Sequence, residues 1–169
     1  MPCVIFSHGQ DGEPWGSKIV ALADVARRCG FQVESVDYRG IPDPTVRVAR
    51  LLEFCKTMPA APVLVGSSMG GHVAAAVSRQ VAASGLFLMA PAFFMPGFEQ
   101  HTPVPADCPV AIVHGWNDDI VPVDHSIRFA RQYRCELHVL DSDHRLTASI
   151  AQICELFAGY LQRLSRSAT

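Results

Sequence analysis

Ser68 lies midway between Gly66 and Gly70 in the run Val65-Gly66-Ser67-Ser68-Met69-Gly70-Gly71. A serine hydroxyl is a weak nucleophile at neutral pH and needs a base within hydrogen-bond reach. On a sharp strand-to-helix turn, the positions two before and two after the nucleophile approach too closely for side chains. That spacing selects Ser68, because Ser67 has Val65 and Met69 at those offsets. The turn would also set the hydroxyl at a helix N-terminus, whose dipole favours a developing negative charge.

A base and an acid are available further along the chain. His144 falls in the loop between the last strand-like run, "ELHVLD", and the last helix-like run. His8 and His114 end strand-like runs before glycine and are expected to pack and hydrogen-bond locally. His72 lies on a helix, His138 inside a strand, and His101 and His125 on the surface. The acid that orients His144 is Asp118 or Asp119 in "HGWNDDIVP"; Asp141 and Asp143 are weaker candidates, too near His144 in sequence. Acyl transfer also needs donors for the tetrahedral oxyanion. The backbone N–H of Met69, just after Ser68, and that of Gln10, just after "SHG", are the candidates.

These residues need a scaffold that brings them together. Short apolar runs ("CVIFSH", "FQVESV", "PVLVGS", "GLFLMA", "PVAIVHG", "ELHVLD") alternate with helix-period segments. Several runs are apolar on both faces, as parallel strands covered by helices on each side must be. In the last helix Ile150, Ile153, Leu156, Phe157, Leu161 and Leu164 follow the repeat of one buried face. Gly30 can end the first helix, Asp43-Pro44 can start the second, and Asp124 can cap the one after "VPV". The alternation predicts a three-layer α/β/α sandwich around a parallel sheet of about six strands, with residues 1–169 as one domain. Ligands of such sheets bind beyond the carboxyl ends of the strands, where Ser68, the aspartates and His144 all fall.

Composition excludes several classes. The chain has 169 residues, 49% hydrophobic and 18% charged, with a formal net charge of −2. Scattered Lys and Arg give no nucleic-acid footprint or polybasic membrane patch, and no run approaches the ~20 apolar residues of a membrane span. Neither nucleic acid nor a membrane is therefore expected as a partner. The N-terminus lacks a basic segment ahead of its first strand, and the six cysteines form no CxxC pair. Reduced thiols in a cytoplasmic protein are expected, with no metal and no cofactor.

In order along the chain, "SHGQDG", "GSSMGG", "HGWNDDIVP" and "SDHRL" resemble the α/β-hydrolase superfamily, in particular its small bacterial members without a cap domain. The resemblance implies a Ser-Asp-His order of catalytic residues, and its H-G-x-x-D-x-x-V-P form favours Asp118 over Asp119. It implies a carboxylesterase or thioesterase acting on small acyl groups. The chain departs from larger members in reaching the oxyanion loop directly from its first strand, and residues 91–108 leave no room for a lid domain. A largely aromatic rim of Trp15, Phe93, Phe94, Phe98 and Trp116, with the apolar Met95, is expected around a small ester substrate, with short-chain esters preferred over long lipids. Monomer and homodimer both fit. Two other readings compete: a non-catalytic binding protein on the same scaffold, and a flavodoxin-like ligand binder. The latter lacks the Lys-Ser/Thr ending of a phosphate loop and a G-x-G-x-x-G after the first strand.

Overall fold

A computed structural model describes residues 1–97 and 102–167. Strand and helix alternate from the start: β1 (Cys3–Ser7), α1 (Ser17–Arg28), β2 (Gln32–Val36), α2 (Pro44–Cys55), β3 (Val63–Ser67) and α3 (Met69–Ser78). There follow β4 (Gly85–Met89), β5 (Val110–Gly115), α4 (Val123–Tyr133), β6 (Glu136–Leu140) and α5 (Ile150–Ser167). The six strands form one sheet in the order β2-β1-β3-β4-β5-β6, and every pairing is parallel. No helix among the described residues is long and apolar enough to cross a membrane.

Alternation along each strand divides the core into two layers. Val4, Phe6, Val63, Val65, Phe87, Met89, Ala111 and Val113 pack with Ile19, Leu22 and Val25 of α1 and Ile153, Phe157 and Leu161 of α5. Their neighbours Ile5, Leu64, Leu86, Leu88 and Ile112 pack on the other face against Leu51 of α2, Val73 and Val77 of α3 and Phe129 of α4. Each fully buried Phe or Leu stabilises the fold by about 1.5–3 kcal/mol. Buried on both faces, the central strands must read as continuous apolar runs; the edge strands β2 and β6 are more exposed.

Helix boundaries follow local chemistry. The Asp43 side chain caps α2 by accepting the N–H of Thr45 at 2.8 Å, with Pro44 in the first turn. Gly30, at φ 86°, takes the left-handed position just past α1. Asp124 does not cap α4: Pro122 holds that position and Asp124 lies inside the first turn, where its charge still complements the helix dipole. On α5, Ile153, Phe157, Tyr160 and Leu161 are buried, while Leu156 and Leu164 pack at the margin of the core. Between β4 and β5, where a cap domain would be inserted, the described residues form neither helix nor strand.

β1 connects to β2 on one side and neighbours β3 on the other, so the sheet changes winding direction between β1 and β3. A crevice opens at such a switch point, beyond the strand ends. Ser7 pairs with Gly66 in register, which brings the β1 and β3 exits side by side.

Candidate active site

The turn after β3 is tight and strained. Ser68 has φ 54° and ψ −121°, a conformation unfavourable for a residue with a side chain and held here by its surroundings. A Cβ on Gly66 would sit 2.4 Å from the Gly70 carbonyl oxygen, and one on Gly70 would sit 1.9 Å from that of Ser7. The two glycines therefore allow the chain to fold back on itself and the start of α3 to press against the end of β1. The Ser68 N–H donates to Met89 O, and Ser68 O accepts from Ala92, which ties the turn to the exit of β4.

Three loops bring the reactive side chains into one chain of hydrogen bonds. His144 Nε2 lies 3.0 Å from Ser68 Oγ, and His144 Nδ1 lies 2.7 Å from Asp118 Oδ2. Asp118 has no exposed side-chain surface, whereas the His144 ring keeps 18% of its own. Burial pushes the Asp118 pKa up, but hydrogen bonds from His144, Val121 and Ile120 outweigh it and leave the carboxyl below its ordinary range. Its Oδ1 accepts the N–H groups of Ile120 and Val121 at 2.9 and 2.8 Å. An ionised Asp118 makes Nδ1 the protonated nitrogen of His144, leaving Nε2 to accept the Ser68 proton. Asp119 is exposed, and the carboxylate hydrogen-bonded to His144 is that of Asp118. Asp141 accepts from Asn117, and Asp143 accepts the N–H groups of Arg145 and Leu146, shaping the turn that carries His144.

Gly9 lies against the nucleophile turn, its hypothetical Cβ 3.4 Å from Ser68 Cβ. The N–H groups of Gln10 and Met69 make no hydrogen bond within the protein among the described residues. Met69 is the first residue of α3, so its N–H has no partner in the helix. Both are unspent donors, Met69 directly after Ser68 at the start of α3 and Gln10 one residue past Gly9.

Two further residues complete the site: Lys18, which carried no distinguishing mark in the sequence, and His114, which hydrogen-bonds locally as expected but does so to Asp118. Lys18 donates to Ser67 Oγ at 3.1 Å and to Arg145 O at 3.2 Å, strapping the turn after β3 to the loop of His144. Burial lowers its pKa to about 8, against the opposing charge of Asp143. Ser67 is thus the anchor of a cross-loop strap and not merely a small neighbour of Ser68. His114, fully buried, places Nε2 3.0 Å from Asp118 Oδ2 and 2.8 Å from Val121 O, while Nδ1 lies 2.7 Å from Ser126 Oγ.

The expected aromatic rim is only partly there. Phe93 is fully buried and stacked on Phe129, with ring centroids 3.9 Å apart, so it is core and not pocket wall: pairing two large rings removes more apolar surface from water. Trp15 turns to the guanidinium of Arg27 in the last turn of α1, away from the end that holds Lys18. Trp116 is 59% exposed at the exit of β5. Phe94 lies half-buried under the Arg128 guanidinium, 3.8 Å from its ring centroid, and Met95 is half-buried. Phe98 lies outside the described residues. Among the described residues no group of three or more His, Cys, Asp or Glu is placed to hold a metal ion.

A parallel sheet with helices on both faces, a strained serine turn and an acid and histidine on later strand exits define the α/β-hydrolase architecture. The chain belongs to the alpha/beta hydrolase family, whose model matches residues 4–165. A structure from Xanthomonas campestris pv. campestris, assigned to the alpha/beta superfamily of hydrolases, is 34% identical. It superposes with a TM-score of 0.88 over 96% of this chain and 99% of its own. Est1E from Butyrivibrio proteoclasticus shares the fold at 19% identity, with a TM-score of 0.84 over 98% of this chain and 88% of that one. Mitochondrial palmitoyl-protein thioesterase ABHD10 of Bos taurus is 42% identical over 50 residues, which are 27% of this chain but only 16% of that relative.

Proposed function

We propose that this hydrolase cleaves small carboxylic esters or thioesters through an acyl-enzyme on Ser68. The observation that carries the reading is the hydrogen-bonded line from Ser68 Oγ through the His144 ring to a buried Asp118, assembled from the exits of β3, β6 and β5. Ser68 Oγ attacks the acyl carbon as His144 Nε2 takes its proton, and Asp118 holds the ring tautomer and stabilises the imidazolium. The carbonyl oxygen, now an oxyanion, is bound by the N–H groups of Gln10 and Met69. Collapse of the tetrahedral intermediate expels the alcohol or thiol, which leaves with the proton from His144. Water, deprotonated by the same nitrogen, then attacks the acyl carbon and releases the acid, returning the hydrogen to Ser68.

Among the described residues no cap domain covers the strand exits, so bulky leaving groups and water reach Ser68, which favours short acyl chains. The likeness to a palmitoyl-protein thioesterase keeps thioesters in the substrate class. A p-nitrophenyl ester and acyl-thioester chain-length series, run on wild type and Ser68→Ala, tests the reading. Chains of about two to four carbons should turn over fastest, and Ser68→Ala should lower kcat by about 10,000-fold or more. Equal activity in the variant, or no labelling of Ser68 by a fluorophosphonate in folded protein, would overturn it.

A further inference from the structure

Arg47, on α2, is only 1% exposed, yet it forms no ion pair among the described residues. Four carbonyl oxygens meet its charge instead. Nε donates to Ile41 O, Nη1 to His8 O and Gly9 O at 3.1 Å each, and Nη2 to Gln10 O at 3.2 Å. Three consecutive carbonyls of the loop after β1 thus converge on one planar guanidinium, itself packed over the Tyr38 ring at 5.1 Å. The Gly9 carbonyl is held most firmly. It also accepts from Gly12 N–H at 3.2 Å and faces His8 Nδ1 at 2.8 Å. Tyr38 N–H donates to His8 Nε2 at 2.9 Å, so Nδ1 carries the proton and donates to Gly9 O.

The peptide between Gly9 and Gln10 is trans, since the described chain has no cis bond. In a planar trans peptide the C=O and N–H point in opposite directions. Three donors on the Gly9 oxygen therefore fix the direction of the Gln10 N–H, the unspent donor one residue past Gly9, which itself lies against Ser68. We propose that Arg47, with His8, is the positioning residue of the oxyanion site: a buried cation that aims one backbone amide by gripping the carbonyl on its other side. This rests on the acyl-enzyme reading above. The guanidinium suits the task because its donors form a rigid fork that an ammonium cannot reproduce.

The test compares Arg47→Met and Arg47→Lys with wild type on p-nitrophenyl butyrate, with circular dichroism and thermal melting of each. A misaimed amide weakens transition-state binding and leaves ground-state binding alone. Arg47→Met should lose about 10- to 100-fold in kcat, approaching the loss of one oxyanion donor, with KM within about twofold. Arg47→Lys, which keeps charge and length but not the fork, should recover only part, and added guanidinium should raise the rate of the Met variant. If Arg47→Met does not fold, Arg47→Lys decides. In wild type, the Gln10 amide proton should also shift downfield in NMR spectra when a boronic acid forms its tetrahedral adduct on Ser68. A folded Arg47 variant with wild-type kcat, or a Gln10 amide unmoved by the adduct, overturns the proposal. Wild type without Ser68-dependent hydrolysis would instead sink the enzymatic reading beneath it.

Discussion

The same dipeptide marks two strand exits of this sheet, His8-Gly9 just after β1 and His114-Gly115 as the last two residues of β5, and the two corners handle it differently. Both histidines are buried, and burial lowers the pKa of each. His8 is protonated on Nδ1 and grips a carbonyl, so that corner arranges backbone. His114 faces two acceptors with Nε2–H and accepts a hydrogen bond from the Ser126 hydroxyl at Nδ1, so that corner arranges the Asp118 side chain. Opposite tautomers of one residue thus serve a backbone donor at one exit and a carboxylate at the other. The His8 corner also requires the Arg47 cation; the His114 corner is built around an anion. The lesson is that the dipeptide marks a buried corner, while its partners decide what the corner presents.

The largest expected effect lies at the β5 corner. Asp118→Asn keeps the shape but presents an amide that favours the wrong tautomer of His144, and kcat should fall by about 10,000-fold. Retention of more than a tenth of the activity would mean that the carboxylate is not what this corner supplies. The glycines should separate the corners next. A Cβ at Gly115 would lie 2.2 Å from Ser142 O, a backbone atom that cannot step aside, whereas at Gly9 the nearest atoms lie at 3.4 Å. Gly115→Ala should cost about 3 kcal/mol or more in urea denaturation and Gly9→Ala well under that. Equal losses would erase the steric difference.

How legible these corners were in the sequence follows from what fixed them. Strand and helix order was readable because both faces of Val4-Ile5-Phe6 and Leu86-Phe87-Leu88 must be apolar. Ser68, Asp118 and His144 were readable because each follows a strand run at the end where such sheets bind ligands. Arg47 and Lys18 were not, since each sits on an ordinary amphipathic helix and reaches carbonyls or a hydroxyl far away in sequence. Backbone acceptors exist at every position and leave no residue-type signature. Phe93 misled for the opposite reason: an aromatic residue near a strand exit suits a pocket rim and a core equally well.

Acid sensitivity should give the smallest effect and the finest distinction. A histidine whose pKa is lowered by folding is neutral in the native state and more readily protonated in the unfolded chain. Its contribution is therefore present above the unfolded value of about 6.5 and is lost as pH falls toward the native value. His8 and His114 share that sign, and each should remove up to about 1.4 kcal/mol of stability per pH unit within its window. Asp118, with its lowered pKa, adds a loss only at still lower pH. Urea midpoints should accordingly begin to fall below about pH 6.5, and midpoints flat down to pH 5 would refute the neutral, buried assignment of both rings. The corners should not yield together. A proton on His8 Nε2 displaces the Tyr38 N–H and adds charge beside Arg47 and Arg39, which repel it, while Asp37 attracts it without touching the ring. A proton on His114 displaces the Ser126 hydroxyl but meets the Asp118 carboxylate directly, with His144 beyond it. Hydrogen exchange corrected for intrinsic rate should therefore rise at the Gly12 amide, which the Gly9 carbonyl holds, before it rises at Ile120 and Val121, which Asp118 holds. The reverse order would mean that charge environment does not distinguish the two corners and that burial alone governs both.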